Sequence, residues 1–172
     1  AGWANSRALQ LAGISNATPD PAGGKIMRDA HGAATGVLVD AAQELVEKVL
    51  PKPTEPQARA TLDLALARIA QMGLTSVHDA GINAAQDALY RDYADHNKLT
   101  TRVYAMIGDV GPDFDLLSQD GPLKSYAADM YALRAVKLYA DGALGSRGAA
   151  LLAPYSDEPK SHGLLFRRNA DI

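Results

Sequence analysis

The sequence predicts an α/β fold in which parallel strands are joined by crossover helices. Three short β-prone runs, "LTSVHDA", "TRVYAMIG" and "LRAVKLYAD", follow the connector "LPKPTEP", and helical runs of roughly 15 to 20 residues separate them. Connections of that length suit parallel strands, whereas antiparallel strands can be joined by tight turns. A complete (β/α)8 barrel takes about 250 residues. We therefore expect this chain of 172 residues to supply part of a TIM (β/α)8 barrel.

The first part of the chain has a different composition and predicts a small separate subdomain. Apolar residues recur at helical spacing from Ala8 to Ala12, and Gly13 ends this short helix. The stretch "GGKIMRDAHGAATGVLVDAA" is rich in turn formers and predicts two short strands, 25–28 and 36–40, around a turn at 29–32. We expect residues 1–52 to form a helix and β-hairpin subdomain, and residues 53–172 to form the partial barrel.

The remaining elements follow in order along the chain. A helix capped near Thr54 is expected to end at Gly73, directly before the first β-prone run. The segment "NAAQDALYRDYADHNKL" predicts a second helix, and residues 109–130 predict a helical crossover to the third strand. The apolar spacing of the first of these helices predicts the residues that face the core. They are Leu62, Leu66, Ile69 and Ala70.

Composition and charge exclude several classes of function. The chain has no cysteine, which excludes thiol catalysis, disulfides and thiolate metal sites. A net charge of -3 and the absence of a Lys/Arg cluster argue against nucleic acid or a membrane as partner. No apolar run reaches the roughly 18 residues that a transmembrane helix needs. The compartment stays open, with the cytoplasm favoured, and because the chain begins without Met we expect an internal fragment of a longer protein.

Lys137 lies in the apolar run "AVKLYADGALGSRGA". Strand alternation places it on one face with Tyr139 and Asp141, and that face would line a barrel lumen near the carboxyl end of the strand. An isolated buried ammonium is costly, so this lysine is expected to be paired, neutral or modified. Three alternatives remain open: a salt bridge to Asp141 or Asp79, a Schiff-base lysine of a lyase or aldolase, and a carbamate that bridges two metal ions.

Two further places carry candidate side chains. His78 and Asp79 end the first β-prone run on opposite faces, and His78 is either a substrate contact at the barrel mouth or a hydrogen-bonded structural histidine. The loop "DGALGSRGA" matches neither the dinucleotide nor the Walker pattern. It predicts a tight βα loop in which Ser146 and Arg147 hydrogen-bond a substrate, although Arg147 could equally pair with a structural Asp.

Three stretches resemble amidohydrolase family 3, a family of metal-dependent hydrolases that includes N-substituted formamide deformylase-like enzymes. They are "GLTSVHDAG", "RVYAM" and "VKLYADGALGSRGAALLAPYSD". Two stretches near the start of the chain, "AGWANSRALQLAGI" and "GGKIMRDAHGAATGVLVDAA", resemble the segment that this family inserts between its first and second barrel strands. The resemblance implies a barrel of the metal-dependent hydrolase type, of which this chain supplies about strands two to four. It also implies hydrolysis of an amide-type C–N bond in a small molecule by metal-activated water.

The resemblance also implies a set of site residues. Lys137 becomes a metal ligand, carboxylated and bound to one or two divalent ions, with Zn expected in the full-length parent. No metal is expected in this chain alone, because the family's His-x-His pair, later histidines and catalytic Asp have no counterpart here and no catalytic residue can be assigned. Trp3 lies in the inserted segment near the site and is either a substrate contact or a buried aromatic. The expected substrate-binding residues are His78, Asp141, Ser146, Arg147 and Trp3.

A non-enzymatic alternative concerns the chain as given. A partial barrel leaves two sheet edges and apolar surface uncovered, and such edges favour pairing between molecules. On this interpretation the chain is an inactive fragment that self-associates as a homo-oligomer.

Overall fold

The computed structural model describes residues 1–166, which fold into two compact units. Contacts between Cα atoms group Ala1–Lys52 with the described residues from Tyr139 onward, and we call this group the accessory unit. The second group is Pro53–Leu138, which we call the parallel-strand unit. The chain thus passes from the first group to the second after Lys52 and returns to the first after Leu138.

The accessory unit is built on a three-stranded antiparallel sheet in the order β1-β3-β2. Asn5 begins its first helix, because the Asn5 side chain accepts a hydrogen bond from Ala8 N. The unit has a small apolar core of Ile14, Ile26, Leu38 and Ala42. Its elements are β1 (Gly2–Trp3), α1 (Ser6–Leu11), β2 (Gly24–Arg28), β3 (Ala34–Asp40) and α2 (Glu44–Glu47). The hairpin of β2 and β3 is the one that the turn residues predicted.

The later part of the accessory unit is irregular and is held by backbone hydrogen bonds. A 3-10 turn spans Leu144–Ser146, and Gly142 N donates to Leu164 O over 3.1 Å. Leu164 N in turn donates to Gly148 O over 2.8 Å. These bonds explain why this segment does not continue the parallel strands.

The parallel-strand unit contains the α/β alternation expected from the sequence. Its elements are α3 (Glu55–Gln71), β4 (Ser76–Ile82), α4 (Ala84–Asp95), β5 (Arg102–Gly108), α5 (Pro112–Leu117), β6 (Leu123–Tyr126) and β7 (Tyr131–Lys137). The sheet order is β4-β5-β7-β6, and β4, β5 and β7 are parallel. Thr54 and Gln57 form a capping box at the start of α3. The three predicted parallel strands are therefore confirmed, and the structure is a mixed α/β fold.

The crossover predicted for residues 109–130 is wrong in part. Only the short α5 is helical, and β6 then pairs antiparallel with β7, because Leu123 and Tyr126 pack against the core. The turn between them has three consecutive non-glycine residues at positive φ, Ala127, Ala128 and Asp129. Alanine gives no sequence indication of a left-handed turn, so this hairpin could not be predicted.

One face of the sheet packs against the helices and forms the main core. Its buried members include Val103, Ala105, Ile107, Tyr131 and Leu133. On α3 the predicted inward positions hold for Leu66, which is buried, and for Leu62, which packs against the core, whereas Ala70 is exposed. Within the described residues, no helix is long and apolar enough to cross a membrane.

Candidate functional site

The second face of the parallel sheet carries polar side chains, and we call it the polar face. On β5 the residues between the buried Val103, Ala105 and Ile107 point away from the helices, because strand side chains alternate. On β7, Val136 packs against the core, so Lys137 belongs to the opposite face. The polar face therefore carries His78, Tyr104, Arg134 and Lys137.

Lys137 is the last residue of β7 and lies at the carboxyl edge of the parallel strands. It pairs with Gly108, the last residue of β5, and its carbonyl accepts from Asp109 N over 3.0 Å. The residue as a whole is half-buried, and its ammonium Nζ donates to Leu138 O over 3.2 Å in an exposed setting. The carboxyl edge of parallel strands is where barrel enzymes hold their chemistry.

One of the predicted salt bridges to Lys137 does not form. The Asp79 side chain lies on the helix side of β4, where its Oδ2 accepts a 2.7 Å hydrogen bond from Tyr90 Oη. Asp79 and Lys137 therefore occupy opposite faces of the sheet. The expectation that the strand continues to Asp141 is also wrong, because β7 ends at Lys137 and Asp141 forms a bridge with Leu165.

His78 lies farther from the carboxyl end of its strand than the sequence indicated. β4 continues past the predicted end to Ile82, with an irregular register at Gly81, so His78 is the third of seven residues rather than a residue at the barrel mouth. The His78 ring lies 5.0 Å from the Tyr104 ring, measured between centroids. The Arg134 guanidinium lies 5.1 Å from the centre of the same ring. These three side chains form a cluster on the polar face, with a cation-π contact from Arg134 and a tilted contact, at 49° between ring planes, from His78.

Tyr104 and Arg134 were not identified from the sequence. A signal was present for both: Tyr104 is a polar-tipped residue between the core residues Val103 and Ala105 in "RVYAM", and Arg134 is a charged residue directly after the core residue Leu133 in "YALRAV".

The glycine loop of the accessory unit, residues 141–150, holds three of the predicted site residues. Asp141 Oδ2 accepts a 2.9 Å hydrogen bond from Ala150 N, which closes the loop. Ser146 Oγ donates to Ala143 O over 3.3 Å. Arg147 has a positive φ of 57°, and its Nη2 donates to Asp157 Oδ2 over 2.8 Å.

Arg147 pairs with an aspartate of the chain, which is the alternative to substrate binding given for this residue. The hydrogen bond from the Arg147 guanidinium lowers the pKa of the Asp157 carboxyl below its ordinary value. Arg147 Nε also lies 3.8 Å from Glu158 Oε2. Two carboxylates therefore surround this guanidinium, and a substrate carboxylate would have to compete with them.

Ser146 and Arg147 line a cavity of about 210 Å³ within the accessory unit. Strands β2 and β3 supply its apolar wall, and Lys25 and Glu158 stand at its rim, with Lys25 Nζ 3.5 Å from Glu158 Oε1. The apolar wall consists of Met27, Val37 and Val39 together with Leu164. The structure thus brings two of the predicted substrate residues into one concave site.

Trp3 lines a different cavity of about 310 Å³, beside Asn5, Leu38 and Val46. Its side chain is 86% exposed. The interpretation of Trp3 as a buried aromatic is therefore wrong. The reason is its place in the two-residue strand β1, which pairs with β3 through its backbone without covering the indole.

The described residues do not by themselves fit a divalent metal ion. Within residues 1–166, no three His, Asp or Glu side chains are grouped closely enough to hold one. Zinc sites in proteins use three or more protein ligands. Lys137 supplies one potential ligand, which is fewer than such a site uses.

Comparisons with known proteins identify the family of this chain. The Amidohydro_3 model, described as an amidohydrolase family, matches residues 1–167. The chain is 35% identical over 167 residues to YtcJ of Bacillus subtilis (strain 168), and 33% identical over 156 residues to N-substituted formamide deformylase of Arthrobacter pascens. These alignments cover 93% and 85% of this chain, but only 30% and 28% of the relatives.

Solved structures agree with the fold. An uncharacterized metal-dependent hydrolase from Pyrococcus horikoshii OT3 superposes with a TM-score of 0.65 at 28% identity, over 96% of this chain and 32% of that one. A second such hydrolase, from Pyrococcus furiosus, has a TM-score of 0.64 at 24% identity, over 97% of this chain and 33% of that one. The chain belongs to the amidohydrolase family and has the fold of a segment of metal-dependent hydrolases. A Schiff-base lyase is not favoured by these relationships.

Proposed function

We propose that this chain is a segment of a longer metal-dependent hydrolase that cleaves a C–N bond in a small amide-type molecule. The family membership and the formamide deformylase relative support this reaction class. In this proposal β4, β5 and β7 are strands two to four of a TIM barrel, and residues 1–52 are an inserted subdomain. The chain spans about a third or less of its relatives' lengths, so the activity is assigned to the longer protein.

The position of Lys137 carries the proposal. It ends β7 at the carboxyl edge of three parallel strands, lies on the polar face, and is half-buried. The neutral amine form of a lysine can react with carbon dioxide to give an anionic carbamate and a proton, and the carbamate oxygens can then serve as ligands for metal. We propose that Lys137 is such a carboxylated ligand, to one or two Zn ions. Because the described residues do not complete a metal site, the other ligands are assigned to the rest of the longer protein.

The other site residues are proposed to bind and orient the substrate. Ser146 Oγ can turn from Ala143 O toward a substrate carbonyl, because a hydroxyl rotates to suit its partner. Arg147 is held by Asp157, so its proposed role is to border the cavity rather than to pair with a substrate charge. His78, Asp141 and Trp3 remain proposed contacts.

The first experiment measures metal content. The 172-residue chain and a version extended to the full open reading frame are grown with Zn, purified, and analysed by elemental mass spectrometry. We expect one or two Zn per extended chain and a clear loss in Lys137→Ala, whereas Lys124→Ala, an exposed lysine on β6, keeps the metal. Intact-mass analysis under native conditions should show carbon dioxide added to the wild type but not to Lys137→Ala. A metal-free extended protein, or full metal content in Lys137→Ala, would refute the ligand assignment.

The reaction class is tested separately. The extended protein is assayed for amine release from a panel of N-substituted formamides, other amides and, as a comparison, carboxylic esters. Hydrolysis of amides that is lost in Lys137→Ala supports the proposal. Turnover of esters alone would contradict the assignment to C–N bonds.

A further inference from the structure

Asp40, the last residue of β3, has an unusual environment for a carboxylate. Its Oδ2 atom is buried and has no hydrogen-bond partner within the described part of the chain. Its backbone has φ 49° and ψ -123°, a left-handed conformation that non-glycine residues rarely adopt. A buried acceptor without a donor and a strained backbone both oppose folding, and such features concentrate at functional sites.

The carboxylate of Asp40 packs directly against two glycines of the 141–150 loop. A Cβ atom added to Gly142 would lie 2.5 Å from Asp40 Oδ2, and one added to Gly148 would lie closer still. Neither glycine is at positive φ, so close approach rather than backbone conformation requires glycine at both positions. Gly145, in the same loop, has nothing within 4 Å of its added Cβ. The loop therefore has two glycines that make room for Asp40 and one that does not.

The same loop carries side chains of the cavity. Gly148 N donates to Ala143 O over 2.9 Å. This bond closes a turn over residues 143–148, and Ser146 and Arg147 belong to that turn. Those two side chains face Val37 and Val39 across the cavity of about 210 Å³. Since Asp40 directly follows Val39 on β3, one strand supplies both the apolar wall and the group that touches the base of the loop.

We propose that Asp40 is a positioning residue that holds the glycine loop against β3 and thereby shapes the cavity for the non-reacting part of the substrate. This inference rests on the proposed function. The Asp40 oxygen is accommodated by the Cα–H groups of Gly142 and Gly148, which are weak donors. The lining of the cavity matches an apolar substituent that packs on Met27, Val37 and Val39, beside a polar atom that hydrogen-bonds to Ser146 Oγ.

A proteolysis experiment on the chain tests the contact without any assay of activity. Trypsin cleaves after Arg147, and mass spectrometry follows that one cleavage. We expect Asp40→Ala and Gly148→Ala each to speed it about 10-fold, because a loosened loop is open for a larger fraction of the time. Gly145→Ala is the matched control and should cleave at the wild-type rate. Wild-type cleavage in Asp40→Ala, or equal effects of Gly148→Ala and Gly145→Ala, would overturn the inference.

A double variant separates this contact from general damage to the loop. In Asp40→Ala/Gly148→Ala the added methyl group no longer meets the carboxylate and keeps only its 3.1 Å approaches to Ala143 N and Gly142 Cα, so the cleavage rate should lie nearer to that of Asp40→Ala than to the combined effect of both changes. At Gly142 an added Cβ also meets the backbone of Gly148, so Asp40→Ala should not relieve Gly142→Ala. Additive effects at Gly148 would show that the contact is not what requires glycine there.

Kinetics of the extended protein then test the positioning role. With an amide bearing a large apolar substituent, Asp40→Ala should raise KM about 10-fold at nearly constant kcat, since only binding contacts are lost. With an unsubstituted small amide it should change neither, and Asp40→Asn, which keeps the shape, should restore most of the affinity. An inactive extended protein would refute the proposed function and leave the proteolysis result intact. An active one whose KM is the same in Asp40→Ala for both substrates would refute the positioning role alone.

Discussion

Tyr131 Oη donates a 2.7 Å hydrogen bond to Asp87 Oδ1, and this bond joins β7 to the crossover helix α4 inside the core. Tyr131 is fully buried and Asp87 is 5% exposed. The second oxygen, Asp87 Oδ2, accepts from Arg91 Nε over 2.8 Å. Both oxygens of a buried carboxylate are thus satisfied, as burial of a charge demands.

Removing the Tyr131 hydroxyl should destabilise the chain. Tyr131→Phe keeps the ring but leaves one oxygen of a buried carboxylate without its donor, which costs about 1 to 3 kcal/mol. Urea unfolding should show this loss in the free energy of unfolding. The control is Tyr126→Phe, which removes a 2.7 Å bond to Asp95 in an exposed setting and should cost less than about 1 kcal/mol. Equal losses in the two variants would show that burial of Asp87 does not increase the cost of removing its hydrogen-bond donor.

Tyr90 and Tyr131 should make the stability of the chain fall at alkaline pH. Burial, together with hydrogen bonds to Asp79 and Asp87, raises the pKa values of Tyr90 and Tyr131 above the ordinary value. An unfolded tyrosine titrates near about pH 10. Because the folded pKa values are higher, their contribution to stability is complete below that pH and is lost as the pH rises above it.

The measurement is the free energy of unfolding between about pH 8 and pH 11, a range that brackets the unfolded pKa. The wild type should lose stability steeply at the alkaline end, and the double variant Tyr90→Phe/Tyr131→Phe should show a flatter dependence. A wild-type curve as flat as that of the double variant would mean that neither tyrosine is coupled to folding.

The parallel strands could be predicted from the sequence, whereas the end of the last one could not. Continuous β-prone runs around Val103 and Val136 identify strands without any knowledge of partners. Nothing local marks Lys137 as the end of β7, because the next residues are equally β-prone and leave the sheet through bonds to residues 161–166.

Some residues of the candidate site could likewise be predicted from the sequence, whereas others could not. Lys137, Ser146 and Arg147 could be identified because each breaks a local pattern, a lysine in an apolar run or side chains between spaced glycines. Asp40 could not, because its environment comes from Gly142 and Gly148, about a hundred residues further along the chain. Contacts between residues that far apart leave no trace in local periodicity.

Acid should weaken the link between α3 and α4. Arg59 Nη1 lies 2.5 Å from Asp92 Oδ2, and its hydrogen bond lowers the pKa of the Asp92 carboxyl. The associated stability is therefore present above the unfolded pKa of about 3.9 and is lost as the pH falls below it. Asp92→Asn should destabilise the chain at neutral pH, and its difference from the wild type should shrink toward pH 2 or so. Asp120→Asn, at an exposed position, is the control and should show no such trend.

Trp3 offers an optical test of its proposed role, because it is the single tryptophan of the chain. With 86% of the side chain exposed, the free protein should emit at the long wavelengths of a hydrated indole and be quenched readily by acrylamide. If Trp3 contacts substrate, saturating amide should shift the emission to shorter wavelength and reduce quenching. Unchanged emission of the 172-residue chain throughout a titration with the amide would remove Trp3 from the substrate contacts.

Self-association should depend on the open edge of the sheet and on exposed apolar side chains of α3. Within residues 1–166, β4 pairs with β5 alone, while Leu64 of α3 is 73% exposed and Met72, the residue after that helix, is 61% exposed. An unpaired strand edge beside apolar surface favours pairing with another molecule. Size-exclusion chromatography with light scattering should show mass that increases with concentration for the 172-residue chain and returns toward the monomer in Leu64→Glu. Leu116→Glu, on α5 and 56% exposed, is the matched control and should leave association unchanged. A strict monomer at all concentrations would refute self-association, and equal effects of the two variants would place the contact elsewhere.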